Sequence, residues 1–327
     1  LAYLAGFVAD PISLNGGFRG VLEVRADGHA HLYCDDRLKS AAEAAHVDEK
    51  TIVPWYDGQS PGKGPRQLAW QGVFADGCVL HDQPNDAYSP TLVGTLAQMR
   101  RQKDADEVAL LRECMAATDA GQAWARSHVQ AGMTELDVYS GIAAACQRQV
   151  GRAVIVYGDF AVSPGSERRG GPATPRVLAQ GDLMILDFSV VIDGYRSDFT
   201  NTLCVGGQPT TDQQRHLTLC LEAMAAGEKE LRAGASCLTV YQAVRGVFEK
   251  AGLADAFPHH AGHGLGLSHP EAPFFVPKAN ETLLSGDVVT LEPGLYIDGK
   301  GGMRIEHNYL VTEQGFERLS NHTIALA

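Results

Sequence analysis

The sequence predicts an α+β protein of two domains, a small α/β domain over residues 1–95 and a larger α+β domain over residues 96–327. Three observations lead there. The chain has 327 residues, enough for two domains of ~100–200 residues each. Its pattern changes near residue 96, from short apolar runs between turns to a charge-rich helical stretch. Finally, a motif recurs. Gly181-Asp182-x-x-x-Leu186-Asp187, followed by Ile192-Asp193-Gly194, returns 105 residues later as Gly286-Asp287-x-x-x-Leu291-Glu292, followed by Ile297-Asp298-Gly299. Unrelated Asp-Gly turns would not keep one offset at three anchors. The larger domain therefore reads as two related halves, each contributing a β-hairpin that carries an acid.

In the first domain, residues 21–24 and 31–34 are strand candidates around the Asp27-Gly28 turn, and 38–45 is an Ala-rich helix. Residues 52–55 and 78–80 are further strands, separated by a Gly-rich loop over 58–64. In the second domain a helix covers 96–131 and Gly132 ends it. Thr134-Glu135 then opens a second helix to about Val150. Strands and turns run to about 205, helices cover 212–233 and 239–251, and strands and turns fill the last ~70 residues.

Composition narrows the function classes. The chain is 45% hydrophobic and 20% charged, as a globular protein should be. No apolar run approaches the ~18–20 residues of a membrane helix, and no basic leader opens the sequence at Leu1. A net charge of −12 without a Lys/Arg cluster argues against nucleic acid and anionic membranes as partners. The seven cysteines are odd in number and form no CxxC pair, so reduced thiols in the cytoplasm are expected.

The acids of the repeat carry the chemistry. In the first hairpin, 183–190 is a strand, Asp193-Gly194 a two-residue turn and 195–205 the return strand. That register sets Asp187 opposite Thr200 and Asp198 opposite Ser189. Asp187 and Asp198 then share a face with Leu183 and Ile185, because residues two apart point the same way. In the second hairpin a loop centred on Gly299 sets Glu292 opposite Glu306. A single strand acid is most often a solvated charge. Four acids in apolar surroundings are different: without counter-charge they would cost many kcal/mol or be forced to hold protons. Arg304 is the one cation close in sequence. Divalent cations resolve the conflict, and His263, flanked by glycines in HAGHGLG (260–266), offers a fifth ligand. Four carboxylates and an imidazole can hold two ions ~3.5–4 Å apart, an arrangement suited to hydrolysis.

At these positions the sequence resembles the pita-bread metallopeptidases: methionine aminopeptidase, Xaa-Pro aminopeptidase and prolidase. The segments that carry the resemblance are LDFSVVIDGYRSDFTNT (186–202), FPHHAGHGLGL (257–267), TLEPGLYI (290–297) and MRIEHNYLVT (303–312). MRRQKDADEVALLRECMAATDAG (99–121) and AGMTELDV (131–138) resemble the linker-helix signature of the Xaa-Pro branch. LAYLAGF (1–7) and LYCDDR (32–37) resemble parts of its creatinase-like N-terminal domain. The resemblance implies a C-terminal pita-bread (creatinase/aminopeptidase) domain and a smaller creatinase-like one. It also implies that Asp187, Asp198, His263, Glu292 and Glu306 hold two divalent ions, with Mn, Co and Zn all suited to the set. Asp187 and Glu306 would bridge the ions or share them with Asp198. Glu292 would double as general base. Tyr296 matches an active-site tyrosine, His259 a substrate-pocket histidine, and Arg304 would orient Glu306 and serve the substrate pocket.

Two departures bear on the substrate. The resemblance calls for a histidine seven residues after His263, where this chain has Pro270; His269 stands one residue early and is expected to replace it in part. A second histidine is expected near 168–172, where Arg168-Arg169-Gly170-Gly171-Pro172 occurs instead. Arg168 and Arg169 are therefore candidates to clamp a substrate carboxylate, with Arg37 of the first domain another, reaching in across a homodimer. The expected activity is hydrolysis of Xaa-Pro dipeptides. A Xaa-Pro aminopeptidase taking longer peptides is the main alternative. A non-catalytic binding module or a metal-free, creatinase-like hydrolase stands further off, since all five ligand positions are kept.

Overall fold

The structure is a computed structural model that describes residues 1–12, 20–56, 89–163 and 170–327. The chain divides into two compact units, Leu1–Leu96 and Ala97–Ala327. In the first unit a three-stranded sheet has the order β1-β2-β3. Strand β1 (Val21–Val24) runs antiparallel to β2 (Ala30–Asp35), which runs parallel to β3 (Glu49–Val53). Helices α1 (Ala2–Ala5) and α2 (Lys39–Ala44) help close a small core of Ala5, Phe7, Leu32, Cys34, Leu38 and Ala42. Strand β3 lies earlier than the 52–55 expected, because it pairs in parallel with β2 from His31 to Asp35. The expected loop at 58–64 and strand at 78–80 fall outside the described residues.

The second unit contains two helix-pair-on-sheet halves, as the internal repeat requires. In the first half, α4 (Ala105–His128) and α5 (Glu135–Val150) share a core with β4 (Ile155–Ser163), β5 (Leu183–Ile192), β6 (Tyr195–Arg196) and β7 (Phe199–Cys204). In the second half, α6 (Thr211–Glu228) and α7 (Cys237–Lys250) share a core with β9 (Glu271–Phe275), β10 (Val288–Leu291), β11 (Gly294–Ile297), β12 (Gly301–Arg304) and β13 (His307–Val311), and β8 (Gly262–Gly264) lies between β10 and β9. The larger sheet of this half has the order β14-β13-β10-β8-β9, with β14 at Phe316–Arg318, and β11 and β12 form a separate ribbon.

The helix expected over 96–131 is two helices. Helix α3 (Ser89–Met99) ends before a short connector, and Asp104 then starts α4 with its backbone N–H donating to Glu107 Oε2 at 2.9 Å. Thr134 caps α5 in the same reciprocal way with Asp137. Helix α6 ends at Glu228, earlier than expected, while α7 starts at Cys237, earlier than Thr239.

Candidate metal centre

The first hairpin has the register its turn dictates: Ile192 pairs with Tyr195, and Asp187 lies opposite Thr200. Its return strand is broken at Ser197-Asp198. Two side chains hold the break. Ser197 Oγ accepts from Val190 N at 2.9 Å, and Asn308 Oδ1 accepts from Asp198 N at 3.2 Å while its amide donates to Asp198 O. The second hairpin also keeps its register, with Gly294 opposite Arg304 and Leu291 opposite His307. Both its strands break between those pairs, at Glu292-Pro293 and Ile305-Glu306. Proline cannot donate to a ladder, so the break frees both acids from the pleat. His263 sits in β8 behind Gly262, which adopts φ 152°; a Cβ there would lie 2.1 Å from Thr290 O. Only glycine lets β8 come that close to β10.

These elements bring five of the sequence candidates together. Ligand atoms of Asp187, Asp198 and Glu306 lie within 4.8 Å of one another, as do those of His263, Glu292 and Glu306. Glu306 belongs to both sets, so the two candidate ion positions are adjacent. His263 Nδ1 faces Gly264 O at 2.9 Å, which turns Nε2 toward Glu292 (3.4 Å) and Asp198 (3.5 Å). A backbone partner on one ring nitrogen fixes the other as the ligand atom. Thr200 Oγ1 donates to Glu306 Oε2 at 2.8 Å, but Glu306 Oε1 is buried without a partner. An orphaned carboxylate oxygen facing other acids is what a cation would satisfy.

The electrostatics reflect this crowding. Burial, opposed by Arg304 and reinforced by Asp198 and Glu292, pushes Asp187 up to about 7. Burial and then the neighbouring acids raise Glu306 well above its usual range. Burial also opposes ionisation of Glu292, but its bond with His260 and the nearby histidines outweigh this and hold it low.

The remaining candidates differ in where they lie. His269 lies at the cluster: its Nε2 is 2.6 Å from Asp198 Oδ2, and its ring centroid is 5.0 Å from that of His263. His259 and Tyr296 line one side, ring centroids 5.5 Å apart. Burial keeps His259 neutral, down to about 4, and its Nε2 has no partner. Arg304 is buried, but it does not orient Glu306. Its guanidinium donates to Asp187 (2.5 Å), Asp159 (2.9 Å) and Tyr296 OH (2.5 Å). The two-residue rule fails here because β12 ends at Arg304, so Glu306 is no longer on its pleat. Arg37 donates to both oxygens of Asp35 and stacks 4.9 Å over Trp55 within the first unit. Arg168 and Arg169 lie outside the described residues.

Sequence reasoning missed His260, whose Nδ1 lies 3.2 Å from Glu292 Oε1. It also missed Asp159, Thr200 and Asn308, which hold Arg304, Glu306 and Asp198. The adjacent His259-His260 pair was a visible signal. The others were not, because their partners are more than a hundred residues away.

Residues 109–313 match metallopeptidase family M24. An uncharacterised peptidase of Staphylococcus aureus is 30% identical over 234 residues, 70% of this chain and 65% of that protein. A Bacillus subtilis protein with a provisional dipeptidase name is 33% identical over 70% of this chain and 62% of its own length. The chain thus matches less than two thirds of the length of these relatives. Among solved structures, a Xaa-Pro dipeptidase from Bacillus anthracis is 26% identical with a TM-score of 0.84, covering 99% of this chain and 91% of that one. The dipeptidase PepE of Mycobacterium ulcerans is 28% identical with a TM-score of 0.78, covering 99% and 89%. The prolidase of Pyrococcus horikoshii shares the fold at 21% identity and a TM-score of 0.80, covering 100% and 92%. With its pita-bread fold and repeated acid-bearing hairpins, the chain belongs to metallopeptidase family M24.

Proposed function

We propose that the chain is a dinuclear metal-dependent peptidase that hydrolyses Xaa-Pro bonds, acting on dipeptides as a prolidase does. The observation that carries the reading is the convergence of Asp187, Asp198, His263, Glu292 and Glu306 on two overlapping ligand sets, with a buried, unpartnered oxygen on the shared Glu306. The likeness to a Xaa-Pro dipeptidase over 99% of the chain supports the substrate class. Those five residues would hold two divalent ions, with Mn, Co and Zn suited to the donors. When bound, the ions supply the positive charge that activates water and polarises the scissile carbonyl.

The chain's own groups do the rest. Glu292 takes a proton from the attacking water and returns it to the leaving proline nitrogen. Arg304 fixes Asp187 and the Tyr296 hydroxyl, which donates toward the oxyanion. His259, neutral and with an open Nε2, contacts the substrate. His269 takes the part of the displaced histidine and steadies the substrate carbonyl. Arg168 and Arg169 are proposed to bind the free carboxylate, since two guanidiniums beside glycines suit a bidentate pair. The same reading makes residues 1–95 a creatinase-like domain and the assembly a homodimer. It places the chain in the cytoplasm, in keeping with six free, buried cysteines among the described residues.

The test compares a free Xaa-Pro dipeptide, its C-terminal amide and a tripeptide extended beyond proline, using metal-reconstituted protein and a chelated control. Turnover of the dipeptide alone, lost on chelation, is expected. Equal turnover of all three replaces the dipeptidase with an aminopeptidase. No turnover of any substrate by fully loaded protein removes the peptidase reading.

A further inference from the structure

We propose that Arg100, Lys103 and Glu271 form a positioning clamp that seats His269 at the acid cluster, making up for its one-residue displacement. The inference rests on the reading of His269 as part of the catalytic site. His269 lies in the turn between β8 and β9, where no strand ladder holds it. Glu271, two residues on, is the hub. It accepts from Arg100 Nη2 at 2.5 Å, Lys103 Nζ at 2.8 Å and the backbone N–H of Ser268 at 3.2 Å. Arg100 also donates to Ser268 Oγ at 2.7 Å. The near side of the turn is held by Arg196, whose N–H donates to Gly266 O (3.1 Å) and whose guanidinium donates to Leu267 O (2.8 Å). His269 is thus the tip of a turn whose backbone is fixed on both flanks, which brings its ring to Asp198 Oδ2.

The other side of the clamp is equally fixed. Arg101 donates to both oxygens of Asp287 (2.9 and 2.6 Å), and Lys103 N donates to Gly286 O at 3.0 Å. Asp287 directly precedes β10, whose far end leads into Glu292. The connector at residues 100–103 therefore ties the His269 turn to the strand that presents Glu292. That gives a role to the charged segment between α3 and α4.

The energetics point to geometry rather than stability. The Lys103 side chain is 1% exposed and that of Glu271 11%. A buried ion pair is often no more stable than an apolar replacement, and its best-attested use is to fix register. The fit is tight: a Cβ on Gly266 would lie 2.7 Å from Glu271 Oε1 and 3.1 Å from Lys103 Cε.

The test is a double-mutant cycle on metal-loaded protein. It uses Glu271→Gln, His269→Ala and their combination, with metal content and melting temperature measured on each. Arg100→Ala, which leaves the Lys103–Glu271 pair intact, serves if Glu271→Gln does not fold. A misplaced catalytic group can cost ~10²-fold, so the expected result for Glu271→Gln is a kcat loss of at least ~10-fold at unchanged metal content. Adding it to His269→Ala should cost nothing further. The second readout needs no activity: carbethoxylation of His269, mapped by mass spectrometry on metal-free protein, should be faster in Glu271→Gln or Arg100→Ala. Equal losses in both backgrounds, or an unchanged modification rate, overturn the clamp. A silent His269→Ala defeats the catalytic reading of His269 instead, and the modification rate still decides whether the clamp seats it.

Discussion

Changing pH should alter metal affinity in a direction fixed by the acid cluster. Metal-free, Asp187 keeps its proton up to about 7, against a usual value of 3.8. As pH rises from 3.8 to about 7, the folded state holds a proton that the unfolded chain has lost. A raised acid therefore favours folding at low pH, and that contribution is lost as pH passes the folded pKa. For Asp187 alone the loss is about 4 kcal/mol. Glu306, also raised by burial and the neighbouring acids, acts in the same sense. Glu292, held low, has the opposite sign, but its contribution is lost only below the usual carboxylate range. Between pH 5.5 and 7 it stays constant. Binding an ion must displace the Asp187 proton, and Glu306 adds to the same effect, so affinity should rise at least about tenfold per pH unit below 7, or at least about 2 kcal/mol from pH 5.5 to 7. Buried His307 and His322, lowered to about 2 and about 4, give the metal-free stability an opposing slope. Neither belongs to the clustered ligand sets, so they cancel when loaded and metal-free protein are compared at one pH. The assay is Mn²⁺ affinity by chelator competition at both pH values, with melting curves of loaded and metal-free protein. Affinity that is flat with pH, or that falls as pH rises, would refute the placement of Asp187 among the ligands.

Glu292→Gln should lower kcat by at least ~10² if Glu292 moves the proton, with metal content measured on the same sample; wild-type turnover would remove it from the mechanism. Arg101→Met should destabilise the fold by ~3–5 kcal/mol, since it leaves the fully buried Asp287 carboxylate without its bidentate partner. Urea unfolding checks this, and a loss below about 1 kcal/mol would show that the pair is not needed.

Much of the site was legible because its geometry is local. A two-residue turn fixes strand register, so Asp187 opposite Thr200 follows from Asp193-Gly194 alone. The same reasoning centred the second hairpin on Gly299 and gave the register seen on either side of Glu292 and Glu306. The repeat forecast two related halves, and each is a helix pair on a sheet. The helix expected over 96–131 shows the limit of periodicity. Residues 100–103 fit a helical pattern, yet their side chains and backbone are bonded to 268, 271 and 282–287.

Spacing along the chain therefore determined which acids this protein sets on facing strands, because pleat and turn act over a few residues. Tertiary structure decided what those acids meet. Arg304 turned to Asp187 and Asp159 rather than Glu306, since the strand ends between them. His260 came to Glu292, and His269 to Asp198, across 32 and 71 residues of chain. No local rule carries such contacts: packing within the second half sets the first and packing between the halves the second, and burial then makes each ionic partner matter.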